Sequence, residues 1–187
     1  MNVKSESVNI NPETGLIEGV THIASPNYDD RPQGCEPEVI VIHAISLPPG
    51  EFGGPYIGQL FQNCLNAGDH CYFEEIKDLQ VSAHLLVRRD GEIVQFVPLH
   101  KRAWHAGQSE CEGRQRVNDF SIGIELEGCD DKPFEEAQYL QLDRLIKAIM
   151  RAYPKITANR FYGHSDIAPG RKTDPGPFFD WSRIRPV

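Results

Sequence analysis

The chain lacks the features that would send it to a membrane, a nucleic acid or an oxidising compartment. In 187 residues no apolar run approaches the ~18 residues of a membrane span; the longest aliphatic stretch is Val39, Ile40, Val41 and Ile42. Positive charge is in deficit: 19 Lys and Arg stand against 27 Asp and Glu, a net charge of −8. No excess cation is left to displace counterions from a phosphate backbone or to sit on anionic lipid. Nucleic acid and a polybasic membrane anchor are therefore set aside as partners. Cysteine is sparse: Cys35, Cys64, Cys71, Cys111 and Cys129 are odd in number, and no two form a C-x-x-C pair. Neither a disulfide framework nor a Cys-rich zinc site is expected, and reduced thiols fit a cytoplasmic protein. The opening MNVKSESVNINPETG carries no apolar stretch of a secretory signal. Internal repeats and low-complexity segments are also absent.

What is present is an ordinary globular composition, 40% hydrophobic and 25% charged, long enough for one good core. Residues 1–20 read as a peripheral N-terminal segment, in which Leu16, Ile17, Val20 and the following Ile23 offer a short docked strand; residues 21–187 read as the domain. Residues 38–43 (EVIVIH) are almost continuously apolar and β-branched, which predicts a central strand buried on both faces. The Pro- and Gly-rich 47–55 is a loop, and a short helix is expected over 56–63. Residues 81–88 and 92–97 read as strands joined at the Asp90-Gly91 turn. Residues 120–126 (FSIGIEL) alternate, with Phe120, Ile122, Ile124 and Leu126 on one face and Ser121, Gly123 and Glu125 on the other. Residues 134–153 carry Tyr139, Leu142, Leu145, Ile146 and Ile149 at helical spacing and stop before Pro154. A last short strand over 160–163 precedes a long irregular segment, and Asp180 caps a terminal turn over 181–184. Strands interleaved with helices make an α/β protein, a single domain with a central mixed β-sheet flanked by helices.

Seven histidines are candidates for chemistry, since neutral imidazole is the commonest metal ligand. A catalytic zinc needs three protein ligands and one open position. His43 ends the most apolar strand and empties into a Gly/Pro loop, a favoured place for a site. His164 lies in GHSDIAPGRKTDPG, an irregular stretch that a metal bridging to Asp174 would hold; packed or solvent-facing histidines are the alternative. His84 alternates with Ser82 and reads as a hydrogen-bonded core histidine.

The segments VIHAISLPPGEFGGP, SAHLLVRRDGEIVQFVP, KRAWHAG, NDFSIGIELEG and GHSDIAPGRKTDPGP resemble those of AmpD-type 1,6-anhydro-N-acetylmuramyl-L-alanine amidases. That group is a cytoplasmic branch of the zinc amidase-2 family, similar in fold to T7-type lysozymes and peptidoglycan recognition proteins. The resemblance runs from about Ile23 to the C-terminus. It implies that His43, His164 and Asp174 hold Zn2+, that Glu125 is the catalytic acid on the sheet, and that Lys172 is the catalytic lysine. It further implies a monomer acting on anhydro-muramyl peptides during cell-wall recycling, with an indirect effect on β-lactamase induction.

The residue chemistry agrees with that implication. Two neutral imidazoles and one carboxylate leave zinc a net positive charge, which lowers the pKa of a bound water toward ~7. A strand-borne Glu125 is suited to proton transfer, and a Lys172 ammonium to a developing oxyanion. Trp104 and His105 place an aromatic face beside a polar ring, for sugar and lactyl surfaces or for the core. Arg114, Arg116 and Arg171 are candidates to grip carboxylates of a peptide stem, or are solvated loop arginines. Two positions depart from the pattern: Ala44 stands where relatives commonly carry Asn, and Gln80 where they commonly carry Arg. A module that binds muropeptide without cutting it is a second reading, and a secreted or phage-type amidase a third. Filled ligand positions speak against the former, the missing signal against the latter.

Overall fold

The computed structural model describes residues 8–184, so residues 1–7 of the expected N-terminal segment lie outside the described residues. Among the described residues the strands are, in chain order, β1 (Thr21–His22), β2 (Tyr28–Asp29), β3 (Val39–Ile45), β4 (Leu85–Val87), β5 (Ile93–Gln95), β6 (Arg102–Ala103), β7 (Glu110–Cys111), β8 (Arg114–Gln115), β9 (Ser121–Glu127) and β10 (Phe161–Gly163). The α-helices are α1 (Tyr56–Phe61), α2 (Phe73–Ile76), α3 (Glu136–Ala152) and α4 (His164–Ile167). Six strands form one mixed sheet in the order β1-β5-β4-β9-β3-β10, with β4 and β5 antiparallel and every other neighbouring pair parallel. The Asp90-Gly91 turn closes that antiparallel pair as expected, Gly91 taking φ +89°. No helix among the described residues is long and apolar enough to cross a membrane.

The period-two pattern of the central strands divides the interior into two sides. Ile40 and Ile42 of β3, Leu85 and Val87 of β4, and Ile122, Ile124 and Leu126 of β9 face α3, which buries Leu142, Leu145, Ile146 and Ile149 against them. Each such side chain removed from water contributes roughly 1.5–3 kcal/mol. Ile17 of the N-terminal segment joins this cluster, tying that segment to the sheet. On the opposite side Leu86 and Val94 pack against α1 and α2 through Ile57, Leu60, Phe61, Phe73 and Ile76. Val39 and Val41 meet Val117, Phe120 and Ile167 there.

Phe120 thus corrects the sequence reading. The chain enters β9 through a 3₁₀ turn, Val117–Phe120, so the alternation starts one residue later than expected. Residues 81–84 likewise stop short of strand pairing, although His84 still donates its N–H to Gly123 O at 3.1 Å. The segment after β10, read as irregular throughout, opens with the single helical turn α4. All five cysteines are free, and Asp180 caps the terminal turn by accepting from Ser182 N at 3.0 Å.

His84 is the core histidine the sequence suggested. Its Nδ1 accepts from Gly123 N at 3.0 Å, and its Nε2–H donates to Lys101 O at 3.0 Å. Burial, and then the Arg31 guanidinium 3.3 Å from Nε2, drive its pKa down to about 3. A base whose folded pKa lies below its unfolded value contributes stability fully above pH ~6.5 and loses it as pH falls from there toward 3. Between pH 6.5 and 5 the stability of the wild type should therefore fall more steeply than that of His84→Gln, by up to ~1.4 kcal/mol per pH unit. Urea denaturation across that range checks it; identical slopes would show that His84 does not titrate on unfolding.

Candidate active site

Three parallel strands deliver side chains to one end of the sheet. His43 occupies the C-terminal part of β3, on the face opposite Ile40 and Ile42. β9 runs beside it in the register His43↔Glu125, so these two side chains project side by side from neighbouring strands. β10 pairs Gly163 with Ile42, which brings the next residue, His164, alongside His43 at the start of α4. Ligand sites of open α/β sheets gather at such carboxyl ends of strands.

Asp174 comes from the loop after α4. That loop is drawn back onto the helix: Ser165 N donates to Asp174 O at 2.9 Å, and Lys172 N to Ala168 O at 3.1 Å. Gly163 permits the approach, because a Cβ there would lie 2.9 Å from Pro175 Cδ. The donor atoms converge on one point. His43 Nδ1 and His164 Nδ1 are 3.0 Å apart, and Asp174 Oδ2 lies 3.2 Å from the first and 3.1 Å from the second. Ligands at 2.0–2.1 Å on a tetrahedral zinc stand roughly 3.3 Å apart, so the triangle has the size of one metal's coordination face. Without a cation a proton must sit between these atoms; with one, all three lone pairs have a common partner. His164 Nε2–H donates to Ala106 O at 3.2 Å, which leaves its Nδ1 turned to the triangle. Burial drives the His43 pKa down to about 4, so its ring is neutral at pH 7. Burial alone would raise the Asp174 carboxyl, but its contacts with His164 and His43 hold it well below the usual carboxylate range. The site is built to keep a positive charge among its three donors.

Glu125 is 9% exposed, and its buried Oε2 has no hydrogen-bond partner among the described residues. Burial, then the Asp174 charge, push its pKa well above the ordinary carboxyl range, while Lys172 pulls it back. Lys172 is exposed at the rim, and its charge reaches both Glu125 and His43. These residues line a cleft of about 650 Å³ whose apolar wall is formed by Leu60, Tyr72, Ile76, Leu79 and Val81. Trp104, His105, Ala44 and Arg171 also line it. Gln80 is exposed between Leu79 and Val81 at that wall.

Not every candidate residue arrives free to meet a ligand. Arg171 Nη2 donates to Ala106 O at 2.7 Å and Gln108 O at 2.6 Å, so it clamps the 106–108 loop against His164. Arg114 pairs with Glu38 at 2.6 Å and lies over the Phe120 ring, 3.8 Å from its centroid. Glu38 precedes β3 by one residue, some five residues and roughly 16 Å of strand from His43. Arg116 pairs with Asp119 at 3.2 Å and is likewise not brought to the cleft. Loop arginines beside acidic neighbours find local partners, and the Arg116 side chain stays 70% exposed. His105 has both ring nitrogens engaged, Nδ1 with His43 Nε2 at 2.9 Å and Nε2 with Ser121 Oγ at 3.0 Å.

Two further residues shape the site. Asn118 Oδ1 accepts from His105 N at 3.2 Å and Ala106 N at 2.8 Å, shaping the AWHAG loop. Gly123 leaves room for the His105 ring: a Cβ there would stand 2.4 Å from His105 Cγ. A glycine inside an otherwise β-branched strand was the available signal, since it often marks close approach of another group.

Comparison with known proteins places this arrangement. Residues 33–177 match the N-acetylmuramoyl-L-alanine amidase family. The 1,6-anhydro-N-acetylmuramyl-L-alanine amidase AmpD of Escherichia coli (strain K12) is 56% identical over 173 residues, 92% of this chain and 94% of that protein. A crystal structure of a selenomethionine AmpD derivative superposes with a TM-score of 0.91 at 54% identity, covering 94% of this chain and 97% of that one. The N-acetylmuramyl-L-alanine amidase AmiD from E. coli, in complex with the substrate anhydro-N-acetylmuramic acid-L-Ala-D-γ-Glu-L-Lys, superposes with a TM-score of 0.58. That match is 34% identical over 83% of this chain and 59% of the other.

Proposed function

The chain belongs to the N-acetylmuramoyl-L-alanine amidase family, and from that premise we propose that it hydrolyses the amide between the lactyl group of anhydro-N-acetylmuramic acid and L-alanine. The observation that carries this reading is the convergence of His43, His164 and Asp174 on one point, beside the unpartnered buried carboxyl of Glu125, in an open cleft. Those three residues would hold zinc, which when bound would supply a Lewis acid and an activated water near neutral pH. Residues 21–187 are the catalytic domain and residues 1–20 its N-terminal segment. The reaction belongs to cell-wall recycling in the cytoplasm, where five free thiols are stable.

The side chains divide the remaining work. Glu125 Oε2, buried and raised in pKa, accepts the proton released by the attacking water and returns it to the leaving amine of L-alanine. Rigid placement on β9 holds that carboxyl in register with His43. Lys172 brings its ammonium to the carbonyl oxygen as negative charge grows there. Trp104 and the apolar wall of the cleft offer surface to the sugar and the lactyl methyl. A muropeptide substrate is supported by the AmiD complex, which holds an anhydro-muramyl tripeptide. A module that only binds needs neither the complete donor set nor Glu125.

The test is product identity. Zinc-loaded protein incubated with anhydro-N-acetylmuramyl-tripeptide should yield free tripeptide and anhydro-N-acetylmuramic acid by mass spectrometry. Intact substrate, or cleavage within the peptide stem, would overturn the reading.

A further inference from the structure

The ring of His105 lies between the ligand His43 and the floor of the sheet, with both of its nitrogens committed. We propose that His105 is a positioning residue for His43, fixing the tautomer and ring angle that leave Nδ1 free for the metal. This rests on the zinc-site reading above and extends it to a residue outside the three converging donors. His43 Nδ1 is one of the three converging donor atoms, so the ring proton of neutral His43 belongs on Nε2. That N–H needs an acceptor, and His105 Nδ1 stands 2.9 Å away. His105 must then carry its own proton on Nε2, which it donates to Ser121 Oγ at 3.0 Å. Each tautomer dictates the next.

The packing holds the ring in place. The two imidazoles meet edge to face, their centroids 5.0 Å apart at 86°. Asn118 fixes the backbone on either side of the ring by accepting from His105 N and Ala106 N. Below it, Gly123 is the one residue type that fits, because a Cβ would lie 2.4 Å from Cγ and 2.6 Å from Nδ1. Partners of this kind typically account for 10–100-fold in metal affinity or activity.

A shape-matched pair of variants separates the acceptor from the volume it occupies. Asparagine places Oδ1 where His105 has Nδ1, and leucine fills the same space with a methyl group. Zinc affinity, read by competition with a chromogenic chelator, should be near wild type in His105→Asn and ~10–100-fold weaker in His105→Leu. Equal affinities in the two variants, whether both intact or both weakened, would overturn the proposal, because packing alone would then explain the ring. Thermal unfolding of each metal-free protein checks that it folds. If His105→Leu does not, Ser121→Ala decides: it should weaken zinc several-fold by freeing the His105 tautomer, and an unchanged affinity overturns the proposal. Wild-type protein that binds no zinc would overturn the site reading itself, a result distinct from either.

Discussion

Glu125→Gln should bind anhydro-muramyl peptide almost as the wild type does and turn it over ~10²–10⁴ times more slowly. Glutamine keeps the size and hydrogen-bonding reach of the side chain but cannot take up a proton. Among the described residues the buried Oε2 has no partner whose loss would disturb the fold, and β9 holds the position between β3 and β4. The effect should therefore appear in kcat, with KM and zinc content little changed. Lys172→Ala should behave in the same way, losing ~10²–10³ in kcat, because its charge matters chiefly once the carbonyl oxygen becomes anionic. Steady-state kinetics on one muramyl-tripeptide, alongside elemental analysis, distinguishes these outcomes. Wild-type kcat in either variant would remove that residue from the chemistry.

Asp174→Ala should fail differently, although it lies two residues from Lys172. It takes away the only anion of the donor triangle, leaving His43 and His164 as two neutral ligands. Zinc should dialyse away and activity with it. The loop itself should persist, since its tie to α4 is made by the Asp174 backbone carbonyl, which accepts from Ser165 N at 2.9 Å. The metal-free variant should still unfold cooperatively, at a lower temperature than metal-free wild type, because the carboxylate's contacts with His43 and His164 are lost. Retention of stoichiometric zinc by the variant would mean that the third ligand is another residue.

Much of the scaffold was legible because its central elements have strong periodicity. The apolar run at β3, the alternation of β9 and the helical spacing of α3 each leave one stable arrangement, and Asp90-Gly91 fixes the hairpin between β4 and β5. The errors fall where local pattern and tertiary pairing part company. Phe120 continues the alternation in sequence, yet the 3₁₀ turn before β9 rotates it to the side of Val39 and Val41. The helical turn α4 has too few residues to show a period, and its cap depends on Asp166 Oδ2 accepting from Gly163 N at 2.7 Å. The short α2 lies in a polar stretch with only Phe73 and Ile76 buried, which is too little for a periodic signal.

The site was legible to a different degree. Family resemblance singled out His43, His164, Asp174, Glu125 and Lys172, and all five line the same cleft. Spacing alone gave no means of joining His43 to residues 121 and 131 positions away, because that contact depends on β3 and β10 pairing in parallel. The partners of the ligands were harder still. His105, offered by the sequence for a ligand surface or for the core, meets His43, Ser121 and Gly123 across the fold, contacts that no local pattern shows. Arg171, a candidate carboxylate grip or a solvated loop arginine by sequence, lines the cleft and donates to the carbonyls of Ala106 and Gln108.

The decisive measurement is a zinc titration of metal-free protein followed by rate. Hydrolysis of anhydro-N-acetylmuramyl-tripeptide should be absent after chelation, rise in proportion to added zinc, and level off at about one zinc per chain, because three ligands and one open position make a single site. Full turnover by protein shown to contain no stoichiometric metal would contradict the role given to His43, His164 and Asp174.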